Sequence, residues 1–208
     1  MERKGNENVS WFEHCPLEIL EDRKVDKKYS YKNIFLGALL QVCKRLYGVE
    51  DISIGIVSNV RPPIEDMDKV LGVFVNTVPV SFSLKHIETA EQLLDYIEEK
   101  MIELVEFSGY PLAAIQCFSG NTLLYEVSYS YTCYDKTAKN TVNVQNNGSY
   151  KPLGDYDIPV YFSVHLADEI VIGVESSQVF ECQEEARRIT EHFVLSLKKL
   201  LDGGKINC

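Results

Sequence analysis

Four histidines are the residues of this chain best suited to acid–base chemistry near neutral pH. They are His14, His86, His165 and His192. None stands beside a second histidine, and only His165 has an aspartate three positions on, where a hairpin is predicted to end. We therefore predict that all four are surface or strand residues, and that the chain supplies no catalytic side chain of its own.

Other site chemistries also lack support in the sequence. No Ser-His-Asp arrangement or phosphate-binding glycine loop is recognisable, because Gly203 and Gly204 are placed to end a helix. The six cysteines are scattered without the C-x-x-C spacing that zinc and redox sites require. We therefore predict free thiols, no metal and no tightly bound cofactor. Free thiols are typical of the reducing cytosol, so a cytoplasmic location is expected.

Composition excludes several classes of partner. The formal net charge of −10 argues against nucleic acid. No apolar run approaches the ~18 residues that a membrane span requires. The polar start of the chain, with no apolar stretch after it, predicts no signal peptide. A hydrophobic content of 45% suffices for a packed core.

Helices and strands are predicted from hydrophobic spacing. One helix runs from a Ser30 cap to Gly48, and another follows the capping box formed by Thr89 and Gln92. A short helix at 112–117 and an amphipathic helix at 186–200 complete the helical set. The β-rich runs are residues 51–58, 73–82, 125–134, 158–166 and 170–175.

These elements predict an α/β (α+β) layered sandwich, with a mixed β-sheet and flanking helices. Pro79 interrupts the second β-run, which indicates an edge position or a bulge. The charged N-terminal stretch has little hydrophobic periodicity and is expected to be irregular. Packing of Trp11 and Phe12 is expected to hold it against the folded lobe. The chain is therefore divided into an irregular N-terminal segment, one folded lobe and a tail: residues 1–29, 30–204 and 205–208.

The third β-run places three hydroxyl side chains on one face of the sheet. Ser128, Ser130 and Thr132 alternate with apolar residues, and their face is either a ligand channel or a solvated surface. A long polar stretch follows at 136–155. This stretch is either a latch that extends from the lobe and hydrogen-bonds the edge of another strand, or a surface loop.

One decapeptide, LGVFVNTVPV at 71–80, resembles the I/V-G-x-F-V-N-T signature of the condensation domains of nonribosomal peptide synthetases. Upstream landmarks agree in order, since GVEDISIG at 48–55 resembles the family's G-x-E-D-I-V-V-G. The turn that follows the family's strand is matched by Asn59, Arg61 and Pro62. The resemblance covers residues 29–202, nearly the whole chain.

Three departures from the family's pattern accompany this resemblance. The HHxxxDG motif that carries the family's chemistry is missing. The segment SGYPL at 108–112 replaces H/N-Q-D-x-P-F-E, and the motif rich in Arg, Asp and Ser is not recognisable at 118–122. We therefore predict the C-terminal lobe of a condensation domain, without the N-terminal lobe that carries the histidines.

The resemblance implies a fold like chloramphenicol acetyltransferase, in which two similar lobes form a V with a tunnel between them. Carrier proteins insert phosphopantetheine arms from opposite mouths, and an amine on one arm attacks the thioester on the other. The second lobe contributes the tunnel wall, a floor loop around the FVNT segment, and a latch, for which 136–155 is the candidate. The candidate tunnel and floor-loop residues are Phe74, Asn76, Thr77, Ser128, Ser130 and Thr132.

Two of these roles have alternatives. Asn76 either bonds neighbouring backbone and fixes the floor loop, or contacts substrate. Arg61 is predicted to be a structural turn residue that pairs with Glu65 or caps the strand end.

The sequence thus predicts a lobe that is inactive alone and supports amide formation when joined to a histidine-bearing lobe. The alternatives are a non-catalytic module that binds a carrier protein or partner lobe, and a stand-alone acyltransferase of the same fold. Such a lobe is expected to be an expressed fragment of a longer synthetase, a truncated gene product or one chain of a split enzyme. An unpaired lobe should either self-associate or show an apolar groove rimmed by polar residues.

Overall fold

A computed structural model describes residues 9–21, 23–133, 159–176 and 179–206. The strands are β1 (Val9–Cys15), β2 (Asp51–Asn59), β3 (Val75–Ser83), β4 (Val127–Cys133), β5 (Val160–Leu166) and β6 (Ile170–Ser176). The α-helices are α1 (Tyr31–Tyr47), α2 (Ala90–Phe107), α3 (Leu112–Ser119) and α4 (Gln183–Leu201).

The six strands form one mixed sheet in the order β1-β6-β5-β4-β2-β3. Strand β4 runs parallel to both of its neighbours, and the remaining pairs are antiparallel. This mixed sheet with flanking helices confirms the predicted fold class. Strand β3 lies at the edge, and its register with β2 is continuous through Pro79. Proline is tolerated there because an edge strand leaves half of its backbone N–H groups without a ladder partner.

Local capping chemistry sets the helix ends that the sequence predicts. The Ser30 side chain accepts a hydrogen bond from the Asn33 N–H, and Gly48 ends α1 with a left-handed φ of 65°. Thr89 and Gln92 form a complete capping box at the start of α2. These three predictions are confirmed.

The core lies between one face of the sheet and the helices. Phe193 of α4 packs on Phe162 of β5 with ring centroids 4.7 Å apart, and also stacks on Phe35 of α1. Tyr129 of β4 is fully buried, and its hydroxyl donates to the Lys32 carbonyl 2.9 Å away. Since successive side chains of a strand alternate between faces, the serines of β4 lie on the opposite face of the sheet.

The prediction that residues 1–29 are irregular is wrong for residues 9–15. These residues form β1, which pairs antiparallel with β6 over its whole length. The partner strand lies more than 150 residues away in sequence, so no local pattern announces the pairing. Phe12 packs its ring over Gly173, where an added Cβ would come within 2.8 Å of the ring.

A polar network ties the segment before α1 to α2. The Tyr29 hydroxyl donates to Asp95 Oδ1 at 2.7 Å, and Lys28 Nζ lies 3.0 Å from the same oxygen. The Tyr29 hydrogen bond, followed by that of Lys28, lowers the pKa of Asp95 below its usual value. An acid with a depressed folded pKa stabilises the fold above its unfolded pKa, and this stabilisation is lost as the pH falls through the folded value.

We therefore expect Asp95→Asn to weaken the fold most at neutral pH. The difference in unfolding midpoint between wild type and variant should shrink as the pH falls from about 7 towards about 3, because protonation removes the same charge. Urea unfolding across this range measures the difference. Glu99→Gln, an exposed change on the same helix, is the control. A difference that is constant with pH would contradict the assignment.

Candidate functional site

The FVNT segment spans the junction between a loop and the edge strand. We call residues 60–74 the crossing loop, which leads from β2 into β3. Asn76 is the second residue of β3, and its Nδ2 donates to the carbonyls of Ser108 and Tyr110 at 2.9 and 2.7 Å. The side chain thus ties the edge strand to the turn between α2 and α3, which is the turn that replaces the H/N-Q-D-x-P-F-E segment. Of the two roles predicted for Asn76, these bonds correspond to the one in which the side chain fixes neighbouring backbone. Substrate contact by Asn76 stays a hypothesis.

Thr77 has a partner that sequence reasoning missed. The pKa of Tyr125 is raised by burial, and an interaction with the Thr77 side chain opposes part of this rise. The Tyr125 ring is only 6% exposed and lies against Gly55 of β2, at a distance that leaves no room for a Cβ. A glycine inside a strand run is the signal that could have announced such a close approach.

Arg61 organises the crossing loop. Its guanidinium donates to the carbonyls of Met67 and Val70, the latter at 2.9 Å, and lies over the Phe74 ring with 4.1 Å between Cζ and the centroid. The backbone N–H of Arg61 donates to Asn59 Oδ1. The expected pairing with Glu65 is not among these contacts. The Phe74 ring therefore makes a cation–π contact with the Arg61 guanidinium.

The hydroxyl face of β4 is only partly open. By register, Ser128, Ser130 and Thr132 stand beside residues 161, 163 and 165 of β5 on the face opposite the core. Ser128 is 1% exposed, so a solvated surface is wrong at this position. Its Oγ is buried and has no hydrogen-bond partner among the described residues.

A second buried polar group on this face is Glu175, which sequence reasoning did not single out. By register it lies two strands from Ser128, beyond Tyr161. The residue is 7% exposed, and its Oε2 has no hydrogen-bond partner within the part of the chain that the structure describes. Burial raises the pKa of this carboxyl.

The four histidines occupy separate elements. His14 and His165 both pair with Val171 from opposite sides, so they are two strands, or about 10 Å, apart. His14 Nδ1 contacts Glu169 Oε1 at 2.9 Å, and burial lowers the pKa of His165. His86 lies in the loop before α2, and His192 lies on α4. This arrangement does not assemble a paired-imidazole site.

A groove of about 510 Å³ lies between the edge strand, α2 and α3. Most of its lining residues are apolar, and Ser81, Lys100 and Glu103 supply polar groups. None of the described histidines lines it. The predicted groove on a face covered by a partner lobe stays a prediction. The other residues that line the groove beside β3 are Val78, Pro79, Val80, Leu104, Phe107, Tyr110 and Ile115.

Large apolar side chains lie bare on the crossing loop and α3. Leu71 is 98% exposed, Val73 90% and Phe118 92%. Helix α3 has an apolar sequence, yet none of its eight residues is buried by the described part of the chain. Scattered apolar residues are normal on a protein surface, but an apolar helix with no buried residue and an almost fully exposed loop tip indicate contact surfaces.

The remaining predictions concern features outside this geometry. The latch candidate at 136–155 lies outside the described residues. Within the described ranges, no group of three or more His, Cys, Asp or Glu side chains is placed to hold a metal ion. Of the helices described, none combines the length and the apolar character needed to cross a bilayer.

Comparison with known proteins identifies the family. The sequence model of the Condensation domain family matches residues 16–205. The chain belongs to this family, as the FVNT segment and its flanking landmarks predict. The match begins before residue 30, so it includes part of the N-terminal segment that was predicted to be irregular.

Two curated relatives are subunits of named synthases. The chain is 21% identical over 161 residues to a linear gramicidin synthase of Brevibacillus parabrevis, and 26% identical over 172 residues to a plipastatin synthase of Bacillus subtilis (strain 168). These alignments cover 74% and 76% of this chain, but only 2% and 5% of those proteins.

A solved condensation domain shares the fold. The condensation domain of the Monacolin K polyketide synthase MokA superposes with a TM-score of 0.81 at 16% identity. The superposition covers 99% of this chain and 50% of that chain. The chain therefore spans half the length of a solved condensation domain.

Proposed function

We propose that this chain is the C-terminal lobe of a nonribosomal peptide synthetase condensation domain. In this proposal it supports amide formation between acyl and aminoacyl groups held on carrier-protein phosphopantetheine arms, once a lobe bearing HHxxxDG joins it. The observation that carries the proposal is the extent of the structural match, nearly all of this chain against half of a condensation domain. The order of the motifs from GVEDISIG through FVNT favours the C-terminal half.

The division of labour follows from the residues. Amide formation from a thioester needs an amine and a carbonyl held in contact, which can supply much of the rate acceleration. General-base assistance by a histidine typically adds ~100- to 10,000-fold. The four histidines of this chain lie on separate elements, so the base is assigned to the other lobe. This lobe contributes walls, the crossing loop and the hydroxyl face with Ser128, Ser130 and Thr132.

The exposed apolar side chains favour the existence of a binding partner that buries them. Leu71 and Val73 on the crossing loop and Phe118 on α3 would be buried against the second lobe. Burying a side chain of this size stabilises an association by about 1.5–3 kcal/mol. A second copy of this chain is the less favourable occupant, because each copy carries a net charge of −10.

The test is to join the chain to a histidine-bearing condensation lobe and to assay amide transfer between two loaded carrier proteins. We expect transfer with the joined lobes and a loss of about 100-fold or more when the second histidine of the added motif becomes alanine. A folded, joined protein that binds both carriers and transfers nothing would contradict the proposal.

That contradictory outcome would favour a second candidate, a non-catalytic module that binds a carrier or a partner lobe. One observation supports it. The segment SGYPL at 108–112 replaces a family motif, and its backbone carbonyls at Ser108 and Tyr110 are occupied by Asn76. A segment held in this way stabilises a surface without supplying reactive side chains.

A further inference from the structure

Burial provides little to fix the conformation of the crossing loop. Ile64, Leu71 and Val73 are 64–98% exposed, so the hydrophobic effect does not fix the positions of these side chains. Most backbone hydrogen bonds of the loop are short-range, such as Met67 N–H to the Ile64 carbonyl and Val70 N–H to the Met67 carbonyl. The exception is Val60 N–H to the Phe74 carbonyl, which closes the two ends of the loop.

Arg61 is the side chain that connects the beginning of the loop to its distant parts. Its guanidinium reaches the carbonyls of Met67 and Val70 and covers the Phe74 ring at the far end. A guanidinium suits this position because Nη1 donates to both carbonyls while Cζ lies 4.1 Å from the centroid of the Phe74 ring. A lysine ammonium has the same charge but lacks a planar group that could cover the Phe74 ring while its nitrogen bonds the two carbonyls.

We infer that Arg61 is a positioning residue, which holds the crossing loop in the one conformation that presents Leu71 and Val73 to a histidine-bearing lobe. This inference rests on the proposed function and extends it by naming the side chain that prepares the lobe contact. The length relation supports that occupant, since the solved condensation domain contains as many residues again as this chain covers. A loop that already has its bound conformation loses less conformational entropy when the two lobes associate.

The experiment uses the chain alone, so its outcome is independent of the transfer assay. Amide hydrogen exchange of Met67, Lys69 and Val70 reports the loop, because their N–H groups are bonded within it. Trypsin cleavage after Lys69 is a second reporter. The Arg61–Pro62 bond is itself resistant to trypsin, so substitution of Arg61 does not remove a cleavage site.

We expect Arg61→Ala to speed exchange at these three amides about tenfold or more and to expose Lys69 to trypsin, since loss of the Arg61 contacts lets the loop open. Exchange in α1 and α4 should not change. Arg61→Lys should behave nearly as Arg61→Ala, because charge alone does not reproduce the contacts. Arg187→Ala is the matched control, since among the described residues this arginine pairs with Glu184 and Glu191 on its own helix.

Three results would overturn the inference. The first is unchanged loop exchange in Arg61→Ala. The second is full restoration of protection by Arg61→Lys, which would assign the effect to charge. The third is faster exchange throughout the sheet and helices, which would make Arg61 a residue of general stability.

Discussion

Gly55→Ala should destabilise this protein by about 3 kcal/mol, although alanine is ordinarily the better strand residue. An added Cβ would lie 2.4, 2.5 and 2.6 Å from three ring atoms of Tyr125. The ring cannot easily move, because Tyr125 is only 6% exposed and is packed on several sides. Either strand β2 or the packing of the Tyr125 ring must give way. Urea unfolding of the variant measures the loss.

Two variants make this result specific. Gly109→Ala is the control, because a Cβ at Gly109 would meet no atom of the described residues within 4 Å. In a Tyr125→Ala background the ring is gone, so Gly55→Ala should cost much less there. A Gly55→Ala cost that is equal in both backgrounds, or no larger than that of Gly109→Ala, would contradict the close approach.

Asn76→Asp should also produce a large loss, about 2–3 kcal/mol, from a nearly isosteric change. The two donors of the amide nitrogen now reach the carbonyls of Ser108 and Tyr110. An ionised carboxylate has no donor, so both hydrogen bonds are lost, at about 1 kcal/mol each, and oxygen atoms then face oxygen atoms. The turn between α2 and α3 should detach from β3, and the groove beside it should change shape.

Asn76→Ala separates these contributions, since it removes the bonds without adding charge repulsion. We expect its unfolding free energy to fall between those of wild type and Asn76→Asp. Hydrogen exchange at residues 108–112 should rise in both variants. If both variants were as stable as wild type, Asn76 would have no structural duty, and direct substrate contact would become the better hypothesis for this residue.

Local chemistry made part of this structure predictable. The caps at Ser30, Gly48 and Thr89 depend on backbone groups within a few residues, so sequence spacing is sufficient to find them. Pro79 indicated an edge or a bulge because a missing N–H has the same consequence in any sheet. The motif order predicted the family, which the match over residues 16–205 confirms.

The features that sequence reasoning missed depend on partners distant in sequence. Strand β1 has no strong pattern of its own and is a strand because β6 lies beside it. Asn76 was recognised, but its partners 32 and 34 residues away were not. Arg61 was assigned to a turn, yet its contacts reach across the loop to Phe74. In each case the contact depends on how loops and strands meet, and residue type alone does not specify that.

The central claim is that this lobe shapes and covers a reaction site whose proton-handling histidine lies in another lobe. The most direct measurement is amide formation by the isolated chain, given an acyl-loaded and an aminoacyl-loaded carrier protein. We predict a product yield equal to that of the carriers alone. Product above that background, abolished by replacing His14, His86, His165 or His192 with alanine, would contradict the claim.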